Sequence, residues 1–173
     1  MKSKKQSINL KQIKMNNQKL KIHLWFDDQA EEAVKFYTSV FETSQIHQTT
    51  YYNKEGQDIH GQPEGRVMTI DFTLNEMHFV ALNGGPEFKF NEAISILVEC
   101  DKQEEVDHYW EKLSKDGEEG PCGWLKDRYG ISWQITAKAL TKLLTESPKK
   151  KSERVMAAFM KMKKLDIQTL IEA

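Results

Sequence analysis

The chain has 173 residues, 39% of them hydrophobic, so it can bury one ordinary core, and its length is that of a single domain of about 100–200 residues. Twenty-five Lys and Arg stand against twenty-six Asp and Glu, a formal charge of −1 that gives no global field for nucleic acid or anionic lipid. Cys100 and Cys122 are too few for a disulfide framework and lack C-x-x-C spacing, no apolar run reaches the ~20 residues that span a bilayer, and the first twenty residues hold no apolar h-region, so a cytoplasmic protein without membrane or nucleic-acid partners is expected.

Residues 1–19 contain six lysines, several Asn and Gln and no acid, and read as a mobile tail; a weak helix through Leu10 and Ile13 is the alternative. KIHLWF (21–26) follows as a strand, and Ala33, Phe36, Tyr37, Val40 and Phe41 then recur at helical spacing. Three strand-like runs come next, SQIHQTTYY (44–52), RVMTIDFTL (66–74) and MHFVAL (77–82). Gly56, Gly61, Pro63 and Gly65 mark the loop between the first two, and Asn75-Glu76 is short enough for a hairpin. ISILVEC (94–100) is again a strand, after which Val106, Tyr109, Trp110 and Leu113 share one helical face. From Glu118 to Thr136 there is room for three shorter strands separated by Gly117, Gly120, Gly123 and Gly130. Asp127-Arg128-Tyr129-Gly130 reads as a turn flanked by Trp124 and Trp133 as packing anchors. In the remainder, Val155, Met156, Phe159, Met160 and Met162 suggest an amphipathic helix that docks on the body or on a second copy, a Met-rich peptide-binding surface being the alternative. Asp166 can cap a last turn holding Ile167, Leu170 and Ile171.

The two strand–helix units align without a gap at an offset of 73 residues: Leu24 meets Leu97, Asp28 meets Asp101, Glu31-Glu32 meet Glu104-Glu105, Phe36-Tyr37 meet Tyr109-Trp110, and Val40 meets Leu113. The paired acids fall in the first helical turn, where the macrodipole favours them. Both halves therefore read β-α-β-β-β, and the fold class is α+β, with two like modules whose sheets share or face one cavity. The expected divisions are the tail over 1–19, a domain over 20–145 with module one at 20–90 and module two at 91–137, and a helical extension over 146–173.

These residues resemble the vicinal oxygen chelate (glyoxalase, bleomycin-resistance and extradiol-dioxygenase) superfamily. The likeness rests on the paired modules, D-x-x-x-E-E-A-x-x-F-Y from Asp27 to Tyr37, the Asn83-Gly84-Gly85-Pro86 crossover, and GWLKDRYGISWQI at 123–135. That last run, with ERVMAAFMKMKKLDIQTL from Glu153 to Leu170, is similar to the PhnB-like branch, which carries a demethylubiquinone methyltransferase-type label. The resemblance covers about residues 20–172 and implies a homodimer with small-molecule sites inside curved sheets.

In metal-using members the resemblance implies His or Glu ligands on the first and last strands of each module, where an ion with open positions can act as a Lewis acid on an enediolate or similar anion. Those positions fall at about Lys21 and Ala81 in module one and, by the 73-residue offset, at Ile94 and Gln134 in module two. None is a His or an ionised carboxylate, so no catalytic metal and no other cofactor is expected, a divalent ion being the alternative. His23, two residues from Lys21 and on the same strand face, is the candidate pocket histidine and the one candidate catalytic base. His78, of opposite parity to Ala81, is expected to point away from the cavity. His47 and His60 precede or occupy loops, and His108 is expected in solvated pairing with Glu104 and Glu111 on a helix.

A methyltransferase using S-adenosylmethionine commonly needs a glycine-rich turn after the first strand of a parallel sheet. Gly84-Gly85-Pro86 instead follows one strand-like run and precedes another, so the family label finds no support in the residues. Cys122, near Lys126, reads as a small buried residue rather than a nucleophile, and Ser132, Thr136 and Asp127 form no triad order. An apolar pocket could be walled by Trp25, Phe79, Trp124 and Trp133 and oriented by His23, Ser132 and Gln134, although strand parity sets Trp133 opposite Gln134, under a helix. The expected ligand-binding set is His23, Trp25, Phe79, Ala81, Ser132 and Gln134, holding a small organic molecule between the modules without a catalytic metal. The alternative is an enzyme, either a metal-dependent lyase or isomerase or the methyltransferase of the label.

Overall fold

The internal echo predicts two copies of one module, and both are present in the computed structural model, which describes residues 19–173. The tail expected over 1–19 lies outside the described residues except for Lys19. Module one runs β1 (Ile22–Phe26), α1 (Ala30–Val40), β2 (Ser44–Tyr51), the single turn α2 (Gln57–His60), β3 (Val67–Leu74) and β4 (Met77–Asn83). Module two runs β5 (Ile96–Cys100), α3 (Gln103–Ser114), β6 (Glu118–Glu119), β7 (Trp124–Lys126) and β8 (Ser132–Ala137); α4 (Lys138–Glu146), α5 (Lys149–Phe159) and α6 (Ile167–Glu172) complete the chain. The sheets are ordered β1-β4-β3-β2 and β5-β8-β7-β6, so each module's last strand lies parallel to its first and antiparallel to its third.

The repeat holds with one correction. The buried faces of the helices match at 73 residues, Ala33 with Val106 and Tyr37 with Trp110, whereas the buried faces of the first strands match at 74, Leu24 with Val98 and Phe26 with Cys100. The cause is a joint one residue longer in module one: residues 27–29 connect β1 to α1, and only 101–102 connect β5 to α3. Because side chains alternate along a strand, that single residue exchanges the two faces. Leu97 thus stands half exposed at 50% while its gapless counterpart Leu24 is buried.

Each helix covers one sheet face, and the covered faces meet in a single core. The Phe41 and Trp133 rings stack with centroids 5.6 Å apart, and Tyr37 lies 5.6 Å from the same indole. Burial of Trp133, 1% exposed, is worth on the order of 5 kcal/mol in removed apolar surface. The start of α1 is capped from a distance: Gln29 makes no side-chain cap, and Asn83 at the end of β4 accepts the Ala30 N–H at 2.9 Å while donating to Glu31 at 2.7 Å and to the Val67 carbonyl at 3.0 Å.

The C-terminal helices dock on module two. Val155, Leu165 and Leu170 are buried, and the Cys122 and Gly123 N–H groups donate to the Met162 and Lys163 carbonyls, each at 2.7 Å. Asp166 caps α6 through the Thr169 N–H at 2.7 Å. The helix expected through Met160 and Met162 stops at Phe159, and Met156 and Met160 face solvent. No helix of the described residues is long and apolar enough to cross a membrane.

Candidate ligand site on the open sheet faces

With a helix over one face of each sheet, the residues of opposite parity are left on an open face. On the first sheet these are His23 and Trp25 of β1, His78, Val80 and Leu82 of β4, and Thr69, Asp71 and Thr73 of β3. His23 and Trp25 therefore stand where a ligand could reach them. Phe79 and Ala81 do not: they are 1% and 0% exposed, on the face packed toward α1. The parity argument that sent His78 away from the cavity reverses with them, because Ala81 points into the core and His78 accordingly points to the open face. The gap between β4 and β5 begins with a glycine turn that the indole of Trp25 fills. A Cβ on Gly84 would stand 2.3 Å from Trp25 Cε2, and Trp25 Nε1 donates to the Gly85 carbonyl at 2.8 Å. Phe88 closes edge-on against the same ring at 4.9 Å.

On the second sheet the open face carries Leu97 and Glu99 of β5, Ser132, Gln134 and Thr136 of β8, and Trp124 and Lys126 of β7, with Trp124 opposite Gln134 and Lys126 opposite Ser132 in register. A cleft of about 420 Å³ lies here, lined by Glu92, Glu118, Pro121, Trp124, Lys126 and Ser132 among others. Ser132 is 2% exposed, and its Oγ has no hydrogen-bond partner among the described residues. Gln134 donates through Nε2 to Ser95 Oγ at 2.8 Å.

Two residues weighed for chemistry have other work. Asp127 is 3% exposed and accepts four hydrogen bonds: from the Tyr129 and Ile131 N–H groups at 2.9 and 3.0 Å on Oδ1, and from the Tyr37 hydroxyl and Trp133 Nε1, both at 2.8 Å, on Oδ2. Burial raises its carboxyl above the ordinary range, against the pull of those donors, and raises the Tyr37 hydroxyl well above its own. Lys126, the cation near Cys122 in the sequence, pairs with Glu92. The other cysteine, Cys100, is pushed up to about 12, first by burial and then by Glu105 and Asp101. Among the described residues His108 pairs with neither Glu104 nor Glu111; its Nε2 lies 2.9 Å from the Val40 carbonyl, across the joint between modules.

Residues 18–136 match a family model described as 3-demethylubiquinone-9 3-methyltransferase. The PhnB protein from Bacillus cereus is 36% identical over 69% of this chain and 99% of its own, with a TM-score of 0.60. The chain belongs to this family. Its vicinal oxygen chelate fold is shared more distantly with protein PA1353 from Pseudomonas aeruginosa (16% identity, 68% of this chain and 97% of that one, TM-score 0.54) and with the fosfomycin resistance protein FosX from Listeria monocytogenes (14%, 74% and 97%, TM-score 0.51). No curated protein matches.

The register carries the metal positions that the resemblance implies, at about Lys21 and Gln134, onto the paired strands of the two modules. His23 pairs with Val80 across β1 and β4, and Leu97 with Gln134 across β5 and β8. The position equivalent to Gln134 is therefore Val80 rather than Ala81, and the one equivalent to Lys21 is Ser95 rather than Ile94. Val80 offers no donor, Gln134 is committed to Ser95, and Lys21 is a cation paired with Asp71. This donor set does not fit a divalent ion. Nor does the glycine turn fit S-adenosylmethionine, since Trp25 occupies the space the glycines open. Sequence reasoning missed Asn83, Ser95 and Asp71; the signal for Ser95 was the one-residue difference between the two joints, visible once strand and helix are aligned separately.

Proposed function

We propose that this PhnB-like protein binds a small organic molecule on its open sheet faces, without an ion at the superfamily's metal positions, and that two copies pair to close the cavity. The observation that carries the reading is the cleft on the second sheet. It has the volume of a small-molecule site, an apolar wall at Trp124 and Pro121, and a buried Ser132 hydroxyl free to orient a ligand, with the Lys126–Glu92 pair beside it. An enzymatic reading would make His23 the base. No described residue hydrogen-bonds to its ring to hold its orientation, whereas the cleft on the second sheet is already formed, which supports binding over catalysis.

The test is native mass spectrometry of protein purified without a metal-affinity step. It should reveal a co-purifying organic molecule that survives chelator treatment and is lost, or bound at least tenfold more weakly, in Trp124→Ala and in Ser132→Val. Turnover of a metabolite panel that disappears in His23→Ala would instead make the protein an enzyme.

A further inference from the structure

We propose a second, separate site: His47, Asp71 and His78 form a three-ligand site for a borderline divalent ion such as Zn(II), on β2, β3 and β4 rather than on the first and last strands of the modules. One ligand atom from each lies within 4.8 Å of the other two, the one such group of three His, Cys, Asp or Glu side chains among the described residues. The sheet explains the convergence. His78 and Thr73 face each other across β4 and β3, and Asp71 follows two residues along β3 on the same face. Neighbouring strands lie about 4.8 Å apart, so same-face side chains on adjacent strands come within reach of one another.

His47 joins them because β2 is irregular. The pairing with β3 skips from Ile46–Phe72 to Gln48–Asp71, leaving His47 as the extra residue of a bulge, the device by which a strand re-aims one side chain. Its Nε2 lies 3.2 Å from Thr73 Oγ1, and its ring runs nearly parallel to that of His78, with centroids 5.7 Å apart.

Two imidazoles and one carboxylate match the preference of Zn(II), Ni(II) or Co(II), and three protein ligands leave an open position for water. Asp71 supplies the observation that points to a cation. Lys21 holds its Oδ2, while Oδ1 is buried and has no hydrogen-bond partner among the described residues, an unmet acceptor beside two imidazoles. Ligand atoms around a tetrahedral ion are about 3.4 Å apart for bonds of ~2.1 Å, so from separations within 4.8 Å the trio must draw in by at most about 1.4 Å. His47, exposed on the edge strand, is the member with room to shift, at the cost of its contact with Thr73. Lys21 is the opposing charge. It tunes the site toward ions that gain most from nitrogen ligands and against Mg(II) or Ca(II), which need several oxygens.

The inference is independent of the organic ligand, and its test uses none. Full-length protein stripped by chelator is titrated with Co(II), read by ligand-field absorption, and with Zn(II) by calorimetry, alongside His47→Ala, His78→Gln, Asp71→Asn and His23→Ala. Expected is one ion per chain, affinity reduced at least tenfold in each of the first three variants, and no change in His23→Ala. Circular dichroism confirms that each variant is folded, and His47→Ala, at an exposed position, keeps the test valid if a β3 or β4 variant is not. The proposal is overturned by the absence of saturable binding, by binding that survives His47→Ala, or by binding lost in His23→Ala.

Discussion

Asp127 shows at the scale of one residue how a side chain that looks catalytic in a sequence can be wholly structural. Its two oxygens collect two backbone N–H groups of its own turn and two side-chain donors, one of them from α1 of the other module, so it pins the last hairpin to the inter-module core. Asp127→Ala leaves those donors without an acceptor in a dry site and is expected to cost roughly 3–5 kcal/mol in urea unfolding. The pH dependence follows from burial, which raises the folded carboxyl above its ordinary 3.8. The folded chain then holds a proton that the unfolded chain has released, so Asp127's contribution is fully present below 3.8 and declines as pH rises through the raised folded value. Asp127→Asn has no such titration. The stability difference between wild type and this variant should therefore shrink with rising pH across that window, and a difference that grows would contradict the assignment.

Strands, helices and joints are the scale at which the sequence was most and least legible. The β-α-β-β-β order of both modules could be read because helical spacing and turn residues repeat: Asn75 and Glu76 do make the two-residue hairpin, both with positive φ. What could not be read was which strand face is covered. In MHFVALN, both parities are apolar, so alternation alone does not separate Phe79 and Ala81 in the core from Val80 and Leu82 on the open face. In module two the gapless offset erred for a separate reason, the shorter joint between β5 and α3, and so chose Ile94 over Ser95. His47 was illegible for another reason: a bulge is a property of the pairing between two strands, and one strand's sequence does not announce it. The C-terminal extension offers a sharper test of element-level packing. Gly123 has φ +79°, and an added Cβ would stand 2.4 Å from the Ile135 carbonyl oxygen and 2.9 Å from Leu165, at the point where β7, β8 and the extension meet. Gly123→Ala must strain the backbone and push against a backbone atom that cannot yield. The expected loss is at least about 2 kcal/mol, with hydrogen exchange accelerated first in α5 and α6.

For the whole molecule the consequential feature is that the core runs through the helix-bearing faces, which leaves both open faces on the chain's surface. They and the loops beside them expose apolar groups: Phe88 is 62% exposed, Ile94 77% and Leu97 50%. A chain that binds a small molecule on such faces gains little from a half-covered ligand, whereas a second copy laid against them would enclose it and bury these side chains. The expectation is a dimer in analytical ultracentrifugation at micromolar concentration. Leu97→Arg is the informative variant because its effects in the two states differ. In a lone chain the side chain is already half in water, at 50% exposure, so a monomer should tolerate the change with a loss of no more than about 1 kcal/mol. At the centre of an interface it would bury an unpaired charge and weaken association at least a hundredfold. A dimer that dissociates in Leu97→Arg while each chain keeps its circular dichroism would place the open face of β5 at the interface. A wild-type chain that stays monomeric at 100-fold higher concentration would require the ligand site to be complete within a single copy.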